Sequence, residues 1–165
     1  MVRPVALSRK GYVRRPRSRA VAAVELAFVL PLVALLFFSV VELGVLFKDA
    51  LVLNQAVREA CRKAGLGAPP SQVVAAVKSR AVTLEVSRLQ VTTSYRTWTG
   101  TNWSNWQPLG ASQDGTQNTA PPGAEVRVVA RYSHPLLMGG ALRFLQTDAS
   151  GNGIAVSAAA VTRRE

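Results

Sequence analysis

The stretch RSRAVAAVELAFVLPLVALLFFSVVELG, residues 17–44, decides how this chain is read. From Ala20 to Val41 its only charged side chain is Glu25, and residues 43–47 carry the apolar run past Glu42 to Phe47. Crossing a bilayer takes roughly 20 apolar residues at about 1.5 Å each, and residues 26–47 meet that length. We therefore read residues 20–47 as a transmembrane helix. Pro31 lies inside it, where it removes one backbone donor and is expected to bend the helix. In lipid, neighbouring groups make such a break tolerable.

The charge distribution orients this span. The 165 residues carry a net charge of +11, yet residues 1–19 alone hold seven basic side chains and no acid. The rest, with 13 basic and 9 acidic residues, contributes +4. Clustered arginines can bind nucleic acid by releasing phosphate counterions, but no helix-turn-helix, zinc or aromatic RNA-binding motif accompanies them. A basic flank beside an apolar span is instead the mark of a cytoplasmic leader, which places the C-terminal part outside the inner membrane. No nucleic-acid partner is expected; the lipid bilayer is.

A secretory signal peptide fits poorly. The apolar region exceeds the usual 7–15 residues, and no A-x-A site follows it. The Arg14-Arg15 pair, followed by Pro16, is weak evidence for a twin-arginine signal. Cys61 is the single cysteine, which excludes an internal disulfide and multi-cysteine metal sites. With one histidine, His134, and scattered acids, no catalytic or metal-ligand constellation can be assembled. No enzyme and no cofactor are expected. Asn102-Trp103-Ser104 matches a glycosylation sequon, a short pattern that carries little weight alone.

Glu25 needs an explanation, because a carboxylate just inside a membrane is costly and calls for a partner. It could sit near the headgroups, six residues from Arg19 and five from Ala20. Alternatively, cleavage between Ala20 and Val21 would make Glu25 the fifth residue of the mature chain. A basic leader, a small residue, four mostly apolar residues, Glu and an apolar helix is an arrangement that resembles type IV prepilins. The new α-amino group could then pair with a carboxylate of the same or an adjacent subunit and set the register of packed helices.

The words AVAAVELAFVLPLVALLFFSVVELGVLF and NQAVREACRKAG resemble the TadE-like family of pseudopilins. The matching positions are Ala23, Val24, Glu25, Ala27, Leu30, Pro31, Glu42, Gly44 and Phe47, then Ala56, Arg58, Glu59, Ala60 and Gly65. Ala20 departs from the pattern, since the family usually has Gly before the cleavage site. The resemblance implies a minor pilin-like subunit of the tight-adherence (Flp) branch of type IV pilus systems, needed for pilus assembly, surface attachment and biofilm formation. It implies processing at Ala20 and Val21 by a prepilin peptidase, and subunit packing and register set by Glu25, Pro31, Glu42 and Gly44. The implied partners are that peptidase, other pilin-like subunits and the inner-membrane assembly platform. The ending AVTRRE also resembles family C-termini.

Past the span, Leu43, Leu46, Ala50, Leu53, Val57, Ala60 and Ala64 recur at spacings of three and four, which predicts an amphipathic continuation over residues 48–66. One helix of about 45 residues, near 65 Å, results. Gly65 and Gly67 stop it, and Pro69-Pro70 prevent resumption. Cys61 falls on or beside the apolar stripe, as a buried structural thiol would. Ser71 is placed to cap a short helix ending near Ala81. Alternation predicts strands over 88–98, 125–133 and 154–162, with a short helix or apolar loop over 135–145 and a turn over 150–153. Residues 99–123 read as a long polar loop holding Trp103 and Trp106.

The expected fold is α+β, with a long N-terminal transmembrane and amphipathic helix packed on a small antiparallel sheet, a reduced pilin-like arrangement. Residues 67–165 form its small extracytoplasmic domain. Trp98, Trp103 and Trp106 are candidates for surface contact. They support an alternative reading as a membrane-tethered module that binds envelope polysaccharide or another surface ligand. Against it stands the blander reading that they pin the loop to the sheet.

Overall fold

The computed structural model describes residues 17–136 and 153–165. The leader up to residue 16 and the segment 137–152, with most of the expected 135–145 helix or loop and the start of the 150–153 turn, lie outside the described residues. The chain divides into two compact units, one ending at Ser39 and one spanning Val40–Glu165.

Helix α1, Arg17–Gly65, passes through Pro31 as one element of 49 residues. In the first unit its apolar side chains are open: Phe28 is 79% exposed, and Leu30, Leu32 and Phe37 are similarly exposed. This is the one helix among the described residues long and apolar enough to cross a membrane, and none of its most apolar window is buried.

In the second unit the three-and-four spacing is realised as a buried stripe. Leu53, Ala56, Val57, Ala60, Cys61 and Ala64 are all buried in the core. The small residues on this stripe let the sheet approach the helix closely. The stripe begins later than the sequence suggests, since Leu43 is 49% exposed. The helix ends in a double turn: Ala68 N–H donates to Lys63 O and Gly67 N–H to Ala64 O, both at 3.1 Å. Gly67, at φ +92°, supplies the left-handed residue this closure needs. Asn118 Nδ2 then donates at 2.9 Å to the Ala64 carbonyl, one of those a helix end leaves open, and at 3.0 Å to the Ala68 carbonyl just beyond it.

Helix α2, Pro70–Arg80, starts one residue before the expected cap. Pro70 occupies the first helical position, where its fixed φ is already suitable and its missing N–H costs nothing. Pro69 is therefore the N-cap and Ser71 lies in the first turn, making no cap hydrogen bond.

Strands β1 (Leu89–Arg96), β2 (Gln107–Pro108), β3 (Glu125–Pro135) and β4 (Gly153–Arg163) form one antiparallel sheet in the order β2-β1-β3-β4. Val126, Val128, Ala130 and Tyr132 face α1 together with Leu89 and Ala158. Three strands follow the predicted alternation within two residues. The fourth, β2, was not expected: it lies within the predicted 99–123 loop and pairs with Ser94 and Tyr95. At the start of β4, Gly153 lies so close to the His134 carbonyl that any Cβ would collide with it.

The direction of β3 follows from two helix contacts. Its C-terminal His134 reaches Asp49, while Val126 near its start accepts from Cys61 Sγ at 3.8 Å. The strand thus runs antiparallel to the 49–61 stretch of α1. Burial raises the Cys61 thiol above its usual pKa, so it stays protonated and inert.

Candidate functional site

Three groups of residues bear on function. The first lies in the first unit. Ala20, Val21 and Glu25 all sit in exposed positions on α1, and the bond between Ala20 and Val21 falls within the helical turns that begin at Arg17. Four helical steps separate Val21 from Glu25, about 6 Å along the axis. A terminal amine at Val21 and a carboxylate at Glu25 are therefore about one turn apart.

The second group belongs to the second unit and was not assembled from the sequence. Glu42 and Asp49, seven residues apart and so on one helical face, are each 4% exposed, and His134 between them is 2% exposed. Asp49 Oδ2 lies 2.8 Å from His134 Nδ1, and Glu42 Oε1 lies 3.4 Å from Nε2. Lys48 Nζ approaches the other Asp49 oxygen at 3.5 Å. Two buried carboxylates would be strongly unfavourable alone; the imidazole between them is at hydrogen-bond distance from Asp49. The cluster ties the end of β3 to α1 where the apolar run gives way to the amphipathic one. A clue was present: the alternation Val126, Val128, Ala130, Tyr132 continues to His134, which places it on the core face. Nothing local indicated which helix residues it would meet.

The neighbouring Gly44 has no atom within 4 Å of where a Cβ would stand. Its own unit does not require glycine there, so the position is free for close approach by another helix.

The third group covers the opposite face of the sheet. Register places Ser94 across from Arg127 and Arg96 across from Glu125. Arg96 pairs with Glu125 at 2.6 Å, and its guanidinium lies 4.9 Å from the Trp103 ring and 4.6 Å from that of Trp106. Arg127 stacks on Trp106 at 4.2 Å and donates to Ser94 Oγ at 3.3 Å. Trp98 and Trp103 meet edge to face at 5.4 Å across an isolated bridge. Each cation–π contact contributes about 0.5–2 kcal/mol, enough together to hold the 97–108 segment against the sheet. Trp103 and Trp106 thus use ring faces inside the fold, and Trp98 remains 52% exposed.

Among the described residues no group of three or more His, Cys, Asp or Glu is arranged to hold a metal ion. A family model described as TadE-like protein matches residues 20–62. The match begins at Ala20 and takes in Glu25, Pro31, Glu42 and Gly44, in agreement with the resemblance read from the sequence. It ends before α2 and the sheet. No curated protein and no solved structure matches the chain.

Proposed function

Starting from a chain whose residues 20–62 are TadE-like, we propose that this protein is a membrane-anchored, minor pilin-like subunit required for assembly of a tight-adherence pilus. The observation that carries this reading is the conjunction on α1 of the family signature with an apolar surface wholly unburied by the rest of the fold. Such a surface needs lipid or other helices around it. The protein acts without catalysis, by lateral packing in the inner membrane. Its N-terminus is cytoplasmic and its sheet-bearing domain extracytoplasmic, as the basic leader requires. Glu25 sets register, Pro31 shapes the span, and open Gly44 permits close helix approach. Glu42 adds to this by anchoring the helix to its own domain through His134. The prepilin peptidase cuts before Val21, and the assembly platform and other pilin-like subunits are the contacts.

Glu25→Ala tests this directly. It makes the span more apolar, so membrane content should hold or rise while co-purification with pilin-like subunits falls. Unchanged recovery of those subunits would remove Glu25 from assembly. A second reading, a tethered module that binds surface polysaccharide, rests on Trp98 with its exposed ring. It requires that Trp98→Ala abolish retention of the detergent-solubilised chain on polysaccharide or peptidoglycan.

A further inference from the structure

An open cleft of about 420 Å³ lies on the second unit, lined by Gln55, Arg58, Glu59, Arg62 and Arg80. Four of these come from the face of α1 turned away from its buried stripe, and Arg80 is the last residue of α2. Arg62 is committed to Glu59 through two hydrogen bonds, of 3.1 and 3.3 Å. Among the described residues Arg58 and Arg80 form no ion pair and no side-chain hydrogen bond. The Arg62 bond holds the Glu59 carboxyl below its usual pKa, with Lys63 and Arg80 acting in the same sense. Glu59 is therefore ionised, and three guanidiniums against one carboxylate give the lining a charge of +2.

Three exposed guanidiniums at one cleft repel one another, and only Arg62 is paired, with Glu59 of its own helix. A lipid headgroup cannot be what they meet. Arg58 and Arg62 lie eleven and fifteen residues beyond Phe47, the end of the apolar run, or about 16 and 22 Å along the helix. The headgroup layer is only about 5–7 Å deep on each side. Planar guanidinium forks match carboxylates in a bidentate manner. A lining of +2 that includes its own carboxylate suits one or two monoanions better than a dense polyanion.

We infer that this cleft is a docking surface for an acidic segment of a partner protein, whose Asp or Glu side chains bind Arg58 and Arg80. The inference deepens the reading of this chain as a packing subunit and depends on its having extracytoplasmic protein partners. It names the surface on which one of them is held.

A photo-reactive benzoylphenylalanine at Gln55, in the full chain expressed in its own host, tests this with mass-spectrometric mapping of the cross-linked peptide. The expected peptide carries Asp or Glu within a few residues of the cross-link. Its yield should drop about tenfold or more in Arg58→Gln/Arg80→Gln, the loss of one or two charge-assisted hydrogen bonds, at unchanged membrane content. Charge exchange, Arg58→Glu with Lys at the mapped acid, should restore the yield. Cross-links to lipid, to a segment without carboxylates, or at equal yield in the double variant would overturn the inference, as would none at all. Whether the captured protein is pilin-like tests the assembly reading separately. Its acidity and its dependence on arginine test the cleft.

Discussion

At the scale of single residues, the buried trio is where the fold is most vulnerable. His134→Ala would leave the Glu42 and Asp49 carboxylates in the core without the imidazole between them. We expect a loss of about 3–5 kcal/mol, the usual cost of breaking a buried ionic cluster, measured by denaturant unfolding of the full chain in detergent. A loss under about 1 kcal/mol, the range of exposed pairs, would show that water or neighbouring groups already satisfy both acids. Asp114 illustrates the opposite regime. It is fully exposed, yet hydrogen bonds from Ser112 and Thr116 pull its carboxyl from 3.8 down to about 2. Since the folded value is the lower one, its contribution to stability is present above pH 3.8 and fades as pH falls towards 2. Carboxyl NMR should give a midpoint near 2, moving towards 3.8 in Ser112→Ala/Thr116→Ala. A midpoint unchanged by that double substitution would assign the shift to something other than these hydroxyls.

At the scale of elements, α1 is one helix under two regimes. Its apolar side chains up to Phe47 are mostly exposed, whereas its stripe from Leu53 to Ala64 is buried in the core with the sheet. Substitutions should separate them. Leu53→Ala removes a fully buried side chain and should cost about 2–5 kcal/mol in domain stability. Leu43→Ala, on the same hydrophobic spacing but half exposed, should leave that stability within about 0.5 kcal/mol. Equal effects would mean that the domain packs against α1 as far down as Leu43. The sheet shows a similar division. Its strands could be read from alternation, but β2 could not, because two residues are too few to display a period. That strand forms because the Arg96, Arg127 and Trp106 stack brings Gln107 beside Tyr95, where Tyr95 Oη donates to Gln107 Oε1 at 3.0 Å.

At the scale of the whole molecule, the proposed function depends on topology and processing. The proposed processing predicts that protein purified from its own host, with its peptidase present, begins at Val21. Ala20→Gly should speed that step, and a large residue at position 20 should block it. A chain still starting at Met1 would leave an uncleaved anchor, and the amine could not then pair with Glu25. The physical limits of sequence reading run along the same line as the two halves of α1. The sequence by itself determined what rests on composition and short-range period: the apolar span, the helix continuing to Gly65, three strands, and the TadE-like signature. Each is a local property, because hydrogen bonding and burial within one helix or strand repeat every few residues. Only the tertiary structure decided which distant groups meet: His134 with Asp49 across 85 positions and Asn118 with the end of α1 across 54. Such pairings satisfy buried charge and open backbone groups, and that requirement can be met by any suitable partner the fold brings near. Nothing in the local pattern names which one.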